Sequence, residues 1–85
     1  ATPNPLPTAV AVTSDGIAVA AAISGNSGSF TWGNGWTEGT DQSISTSNSS
    51  TADHAATANG TDTASATHTN QNRQAVVAAS LSVAR

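Results

Sequence analysis

The chain has 85 residues and contains no cysteine, lysine, methionine or tyrosine. Without cysteine there is no disulfide framework, no thiolate metal site and no thiol nucleophile. Arg73 and Arg85 are the only fixed cations, against five acids, giving a net charge of −3. No basic cluster exists to neutralise phosphates, so nucleic acid is not an expected partner. No apolar run approaches the roughly 18 residues of a membrane-spanning helix, so no membrane partner is expected either. The lack of methionine implies a removed initiator, which Ala1 would permit, or a processed piece, and no apolar signal segment remains.

Large apolar side chains are also scarce: six Val, three Ile, two Leu, one Phe and two Trp. Leu, Ile, Val and Phe together are twelve residues of 85, short of the roughly one in five that usually supports a core. Disorder is the first alternative this raises, yet disordered chains are usually rich in charge, and this one is not. What is abundant is small or polar: seventeen Ala, thirteen Thr, twelve Ser, seven Asn and seven Gly.

Pattern decides for order. Val10 and Val12 alternate with Ala and Thr. Ile17, Val19, Ala21 and Ile23 share one parity, and Phe30 and Trp32 continue the habit. Ala75, Val77, Ala79, Leu81 and Val83 fall on one face of the last segment. Period-two alternation marks half-buried strands, with the larger apolar set expected inward. A core this small leaves a solitary domain short of burial. The chain is therefore expected to finish its fold against copies of itself, a partner, or a missing part of its own domain.

Residues 1–7 carry Pro3, Pro5 and Pro7 at alternate positions and read as an extended N-terminal arm, with residues 8–85 as one β-domain. Residues 8–14 and 17–24 read as strands around Asp15-Gly16, a dipeptide suited to a tight hairpin. Residues 25–28 make a turn, 29–32 a short strand, and Gly33-Asn34-Gly35 a loop into Trp36-Thr37-Glu38. Residues 42–46 form a further strand with Ile44 inward, and Ser47-Asn48-Ser49-Ser50 a loop. Residues 52–58 follow as strand, because Thr neighbours and the lack of a 3.6-residue stripe disfavour helix. Asn59-Gly60 is a second turn signal before a strand over 63–69. Asn70-Gln71-Asn72 turns the chain into the longest strand, 73–84. Six or seven short strands predict an all-β fold: an antiparallel β-sandwich, or a jelly-roll-like one, with a neighbouring subunit as one way of completing it.

A family likeness rests on a specific order of segments. An Asp15-Gly16 hairpin with an Ala/Val-rich return strand leads to Phe30-Thr31-Trp32 and a Gly-rich loop into Gly35-Trp36-Thr37-Glu38. A polar Ala/Thr strand precedes Ala64-Ser65-Ala66-Thr67, and Arg73-Gln74-Ala75-Val76-Val77-Ala78-Ala79-Ser80-Leu81 closes the chain. This resembles the C-terminal part of a lectin-like or jelly-roll β-sandwich module found in phage structural proteins and bacterial surface proteins. The likeness spans residues 8–84 through short, alanine-heavy motifs. Such modules carry further strands upstream that this chain lacks. The resemblance implies a neighbouring subunit supplying the missing sheet.

Residues able to carry chemistry are few. His54 and His68 are the only groups that titrate near neutrality unperturbed, with Asp53 and Asp62 nearby in sequence. A His/Asp metal site would need adjacent strands to bring them together, and consecutive residues such as Asp53 and His54 point to opposite faces. Two histidines on a polar surface are the plainer reading. No Gly-x-Ser-x-Gly elbow is present, and Glu38 and Asp41 read as turn acids rather than a glycosidase pair. Gly33-Asn34-Gly35 lacks the lysine and helix of a phosphate loop. Asn48-Ser49-Ser50 and Asn59-Gly60-Thr61 match the N-glycosylation pattern, as chance allows in so Asn- and Thr-rich a chain.

The expectation is a non-enzymatic structural protein with no cofactor and no metal, placed on a virion surface or otherwise outside the cell. Its narrowest form is a phage capsid decoration or stabilising protein, or a tail or fibre module, bound to its own copies or to other virion proteins. Pro3, Pro5, Leu6 and Pro7 in the arm, with Trp36 on its loop, are the expected assembly contacts, through strand addition and apolar burial. The alternative is a carbohydrate-binding or adhesive module in which Trp32 and Trp36 stack on sugar rings.

Overall fold

A computed structural model describes residues 4–44, 46–70 and 73–82. Pro3, Gln71, Asn72 and Val83, and the side chain of Ile44, lie outside the described residues. Seven strands form: β1 (Leu6–Val12), β2 (Ile17–Ser24), β3 (Phe30–Trp32), β4 (Thr37–Ile44), β5 (Ser47–Ala55), β6 (Gly60–His68) and β7 (Gln74–Leu81). All pairings are antiparallel. A three-stranded sheet runs β1-β6-β3 and a four-stranded sheet β4-β5-β2-β7. The two sheets lie face to face, with β1 over β7, β6 over β2 and β3 over β4 and β5. The chain is thus an all-β antiparallel sandwich, 44 × 23 × 16 Å.

The connections depart from the sequence expectation. Among the described strands only β4 and β5 are both consecutive and paired; every other connection carries the chain across to the opposite sheet. Asp15-Gly16 therefore closes no hairpin: β1 pairs with β6, and β2 with β5 and β7. A type I′ hairpin needs positive φ at both central residues. Here Asp15 alone adopts it, at 68°, and the backbone turns toward the other layer. Asp15 and Ala56 hold this arch to the β5–β6 connection, Asp15 N donating to Ala56 O at 3.1 Å and Ala56 N to Gly16 O at 2.9 Å. Gly16 is required by crowding: a Cβ there would sit 2.6 Å from the Leu81 carbonyl oxygen.

Further boundaries moved: β4 starts at Thr37 rather than residue 42, and β7, with 8 residues, is shorter than β5 and β6 with 9 each rather than the longest strand. Leu6 and Pro7 are not arm residues but the start of β1, paired with Ala66 and Ser65. β1 is a sheet edge, where a residue lacking an N–H is tolerated. Ser47-Asn48-Ser49-Ser50 is not a loop but the first half of β5, because β4 and β2 pair with it on both sides. Tertiary pairing overrides the turn preference of Asn and Ser there.

The largest correction concerns which face is inside. The parity sets read from the sequence are present, but β2 and β7 turn them outward. Ala18, Ala20 and Ala22 are buried, whereas Ile17, Val19 and Ile23 are exposed. The cause lies in the facing sheet and its loop. Phe30, Trp32 and Trp36 fill the interior, as the parity of Phe30 and Trp32 predicts, and rings of that size need small side chains opposite. Ala18, Ala20, Ala22 and Ala52 supply them from the four-stranded sheet, and Ala64 and Ala66 leave room beside the rings on β6. The core is an aromatic cluster in an alanine mould, bordered by half-buried Val10, Val12, Val76 and Ala78.

Candidate functional site

The expected contact residues are placed as follows. Trp32 (9% exposed) and Trp36 (5%) are both interior, so neither indole offers an open face to a sugar ring. Trp32 Nε1 donates to Ser50 Oγ at 2.8 Å, and Ser50 donates to Thr40 O at 2.5 Å. Trp36 stacks on His54 with ring centroids 5.6 Å apart. Its large apolar surface is worth more in this thin core than in solvent, which overrides its position beside a Gly-rich loop. Of the contacts expected in the arm, Pro5 is exposed ahead of β1, Leu6 and Pro7 stand in β1, half-buried and exposed respectively, and Pro3 is outside the described residues.

The polar candidates serve the sandwich. His68 is buried edge-on against Phe30, 4.6 Å between centroids. Its Nε2 donates to Asn48 Oδ1 at 3.0 Å, and Nδ1 accepts the Asn70 N–H at 3.0 Å. Asn48 Nδ2 donates to Asp41 Oδ1 and Gln42 O, and Asp41 Oδ2 accepts the Phe30 N–H. One chain of hydrogen bonds thus ties β6, β5, β4 and β3 across both layers, whereas the buried Trp36 Nε1–H has no hydrogen-bond acceptor. The Asn48 sequon is consequently sealed, its amide donating twice inside the fold, whereas Asn59 is exposed. Asn4 extends β1 by one side chain: Nδ2 donates to His68 O and Oδ1 accepts from His68 N, both at 2.9 Å.

At the opposite end His54 on β5 and Asp62 on β6 are hydrogen-bonded, which clamps one sheet to the other. Asp62 Oδ1 also accepts the Thr63 N–H at 2.9 Å. Strand crossing, not sequence proximity, brings these two together. No group of three or more His, Cys, Asp or Glu side chains lies together among the described residues. Asp41 is half-buried in the hydrogen-bond chain above, and Glu38 is exposed, its Oε2 3.3 Å from Ser50 Oγ. They do not form an open carboxylate pair.

What remains unoccupied by internal contacts is the outer face of the four-stranded sheet. Ile17, Val19 and Ile23 project from β2, and Val77 and Leu81 from β7. Val77 and Leu81 are 66% and 60% exposed, the most open large apolar side chains among the described residues. β2 reads IAVAAAIS and β7 reads QAVVAASL, apolar on both faces, whereas β5 and β4 beside them carry Ser, Thr, Asp and Gln outward. A strand that is apolar on both sides has the composition of one covered on both sides. A shallow trough of about 510 Å³ lies over this half of the sheet, bordered by Val19, Ala21, Thr51, Asp53, Val77 and Ala79. The parity pattern located these residues but assigned them to the core; the signal that could have placed them outside is the pair of unbroken apolar runs. Comparison with known proteins adds no further guide: no family model, no curated protein and no solved structure matches the chain.

Proposed function

We propose that this chain is a non-enzymatic structural module that works by having the outer face of β2 and β7 covered by another protein layer. The observation that carries the reading is the exposure of Ile23, Val77 and Leu81 on strands apolar on both faces. Contiguous exposed apolar surface of this kind marks an interaction site. The scarcity of charge supports the same reading, since little has to be desolvated when copies pack. The narrower form, a phage capsid decoration or tail-fibre component at a virion surface, rests on the sequence resemblance over residues 8–84. In either form the chain carries no reaction and needs no cofactor; His54, Asp62, His68 and Asp41 are engaged in holding the two sheets.

Sedimentation equilibrium tests it. The native chain is expected to exceed the mass of one copy at micromolar concentration. Val77→Lys is expected to return it to a folded monomer with an unchanged circular-dichroism spectrum. A native chain that stays monomeric, or assembly indifferent to Val77→Lys, contradicts the proposal.

A further inference from the structure

The covering layer can be named more closely. We infer that the outer face of the four-stranded sheet binds the same face of a second copy of this chain, about a two-fold axis running across the strands. The inference rests on the reading of that face as a covered surface and adds the partner and the geometry.

The argument starts from the order of sizes along the strands. Outward on β7 stand Ala75, Val77, Ala79 and Leu81: small, large, small, large. Outward on β2, at the same levels, stand Ile23, Ala21, Val19 and Ile17. At three of the four levels a large side chain is beside an alanine. The face is therefore a set of knobs and hollows rather than a flat apolar plane.

Such a face fits itself under one operation. Ala20, Ala52 and Ala78 lie at one level. Place a two-fold axis between two copies at that level, perpendicular to the strands. Each level below the axis then meets its mirror level above it. Val77 falls over Ala79 of the second copy, Leu81 over Ala75, and Val19 over Ala21. Ile17 meets Ile23 and closes the ends of the contact. A two-fold contact repeats each of these pairs, which is what a self-complementary surface requires. Aligned sheets packed in this way interdigitate their side chains across about 10 Å.

Charge agrees. Among the described residues the strands place one formal charge on this face, Asp53, and Arg73 stands just beyond the β7 end of it with its guanidinium against Gly25. Asp53 lies at the level of Val19 and Thr51 at the level of Ala21. The axis thus sets each Asp53 carboxylate over a Thr51 hydroxyl of the other copy, a donor, and keeps the two carboxylates apart. Area agrees as well. Four strands of about eight residues present about 26 Å by 19 Å, close to 500 Å² per copy before side-chain relief is counted. The pair reaches the roughly 1,000 Å² at which specific interfaces begin. A two-fold axis parallel to the strands would also set large on small, β2 over β7, but covers two strands only.

A size-swap cycle measured by sedimentation equilibrium tests the pairing. Both positions are solvent-exposed in the single chain, so circular dichroism and urea midpoints are expected to stay native. Val77→Ala leaves a hollow facing a hollow, and Ala79→Val sets valine on valine. Each is expected to weaken dimerisation roughly tenfold, and the double variant Val77→Ala/Ala79→Val to restore it to within about threefold. A double variant as weak as the singles overturns the inference. Restoration by Val77→Ala/Ala21→Val instead also overturns it, since that places β2 over β7. If Val77→Lys dissociates the chain while neither swap restores it, the two-fold pairing falls and the covered-face reading stands. If Val77→Lys changes nothing, both fall.

Discussion

The two faces of β2 differ in a direction that runs against ordinary expectation. The inner face carries Ala18, Ala20 and Ala22, and the outer face carries Ile17, Val19 and Ile23. Burial follows the shape of the partner, not hydrophobicity alone. Inside, the partner is a cluster of three aromatic rings, and β2 meets it with alanine methyls. Outside, the single chain offers nothing, and the larger side chains project where another layer can take them up.

The sharpest break in that contrast comes from removing the aromatic cluster. Trp32→Ala should cost about 3–5 kcal/mol, because it leaves a cavity and takes away the donor to Ser50. In so small a domain this should bring the urea transition close to zero denaturant, followed by the fluorescence of Trp36. Next comes the same substitution on the two faces. Ala18→Leu should destabilise by about 1–3 kcal/mol, since Ala18 is 0% exposed and the rings opposite leave no room. Ala21→Leu on the outer face should stay within about 0.5 kcal/mol in dilute solution. Equal urea midpoints for these two variants would show that the interior is not filled as described. The smallest effect belongs to the His54–Asp62 clamp. His54 is about one-third exposed, so His54→Gln should cost less than about 1 kcal/mol by urea denaturation. A loss comparable to Trp32→Ala would mean that the clamp, rather than the cluster, holds the sheets.

Much of this was legible in the residues. Alternation at Ile17, Val19, Ala21 and Ile23 and again at Ala75, Val77, Ala79 and Leu81 announced strands and grouped the right side chains together. The all-β sandwich and the inward course of Phe30 and Trp32 followed from the same periodicity. The side of the sheet did not follow, because a period of two states which residues share a face and is silent on where that face looks. Asp15-Gly16 misled for a related reason. A turn-forming dipeptide reports a reversal of the chain, and the choice between a hairpin and an arch to the other sheet depends on which strands are available to pair. The buried relay from His68 through Asn48 to Asp41 had no local signal at all, since its members come from three strands.

Local chemistry was enough to make this chain a β-protein of short strands, with no thiol chemistry and little charge, because backbone preference and side-chain alternation act over a few residues. Which alternating set went inside, which acids met which histidines, and that two alanine-rich strands were left with an apolar back to the solvent were settled by packing. Those outcomes depend on the volume of three aromatic rings brought together from distant parts of the chain, and no short window contains that volume.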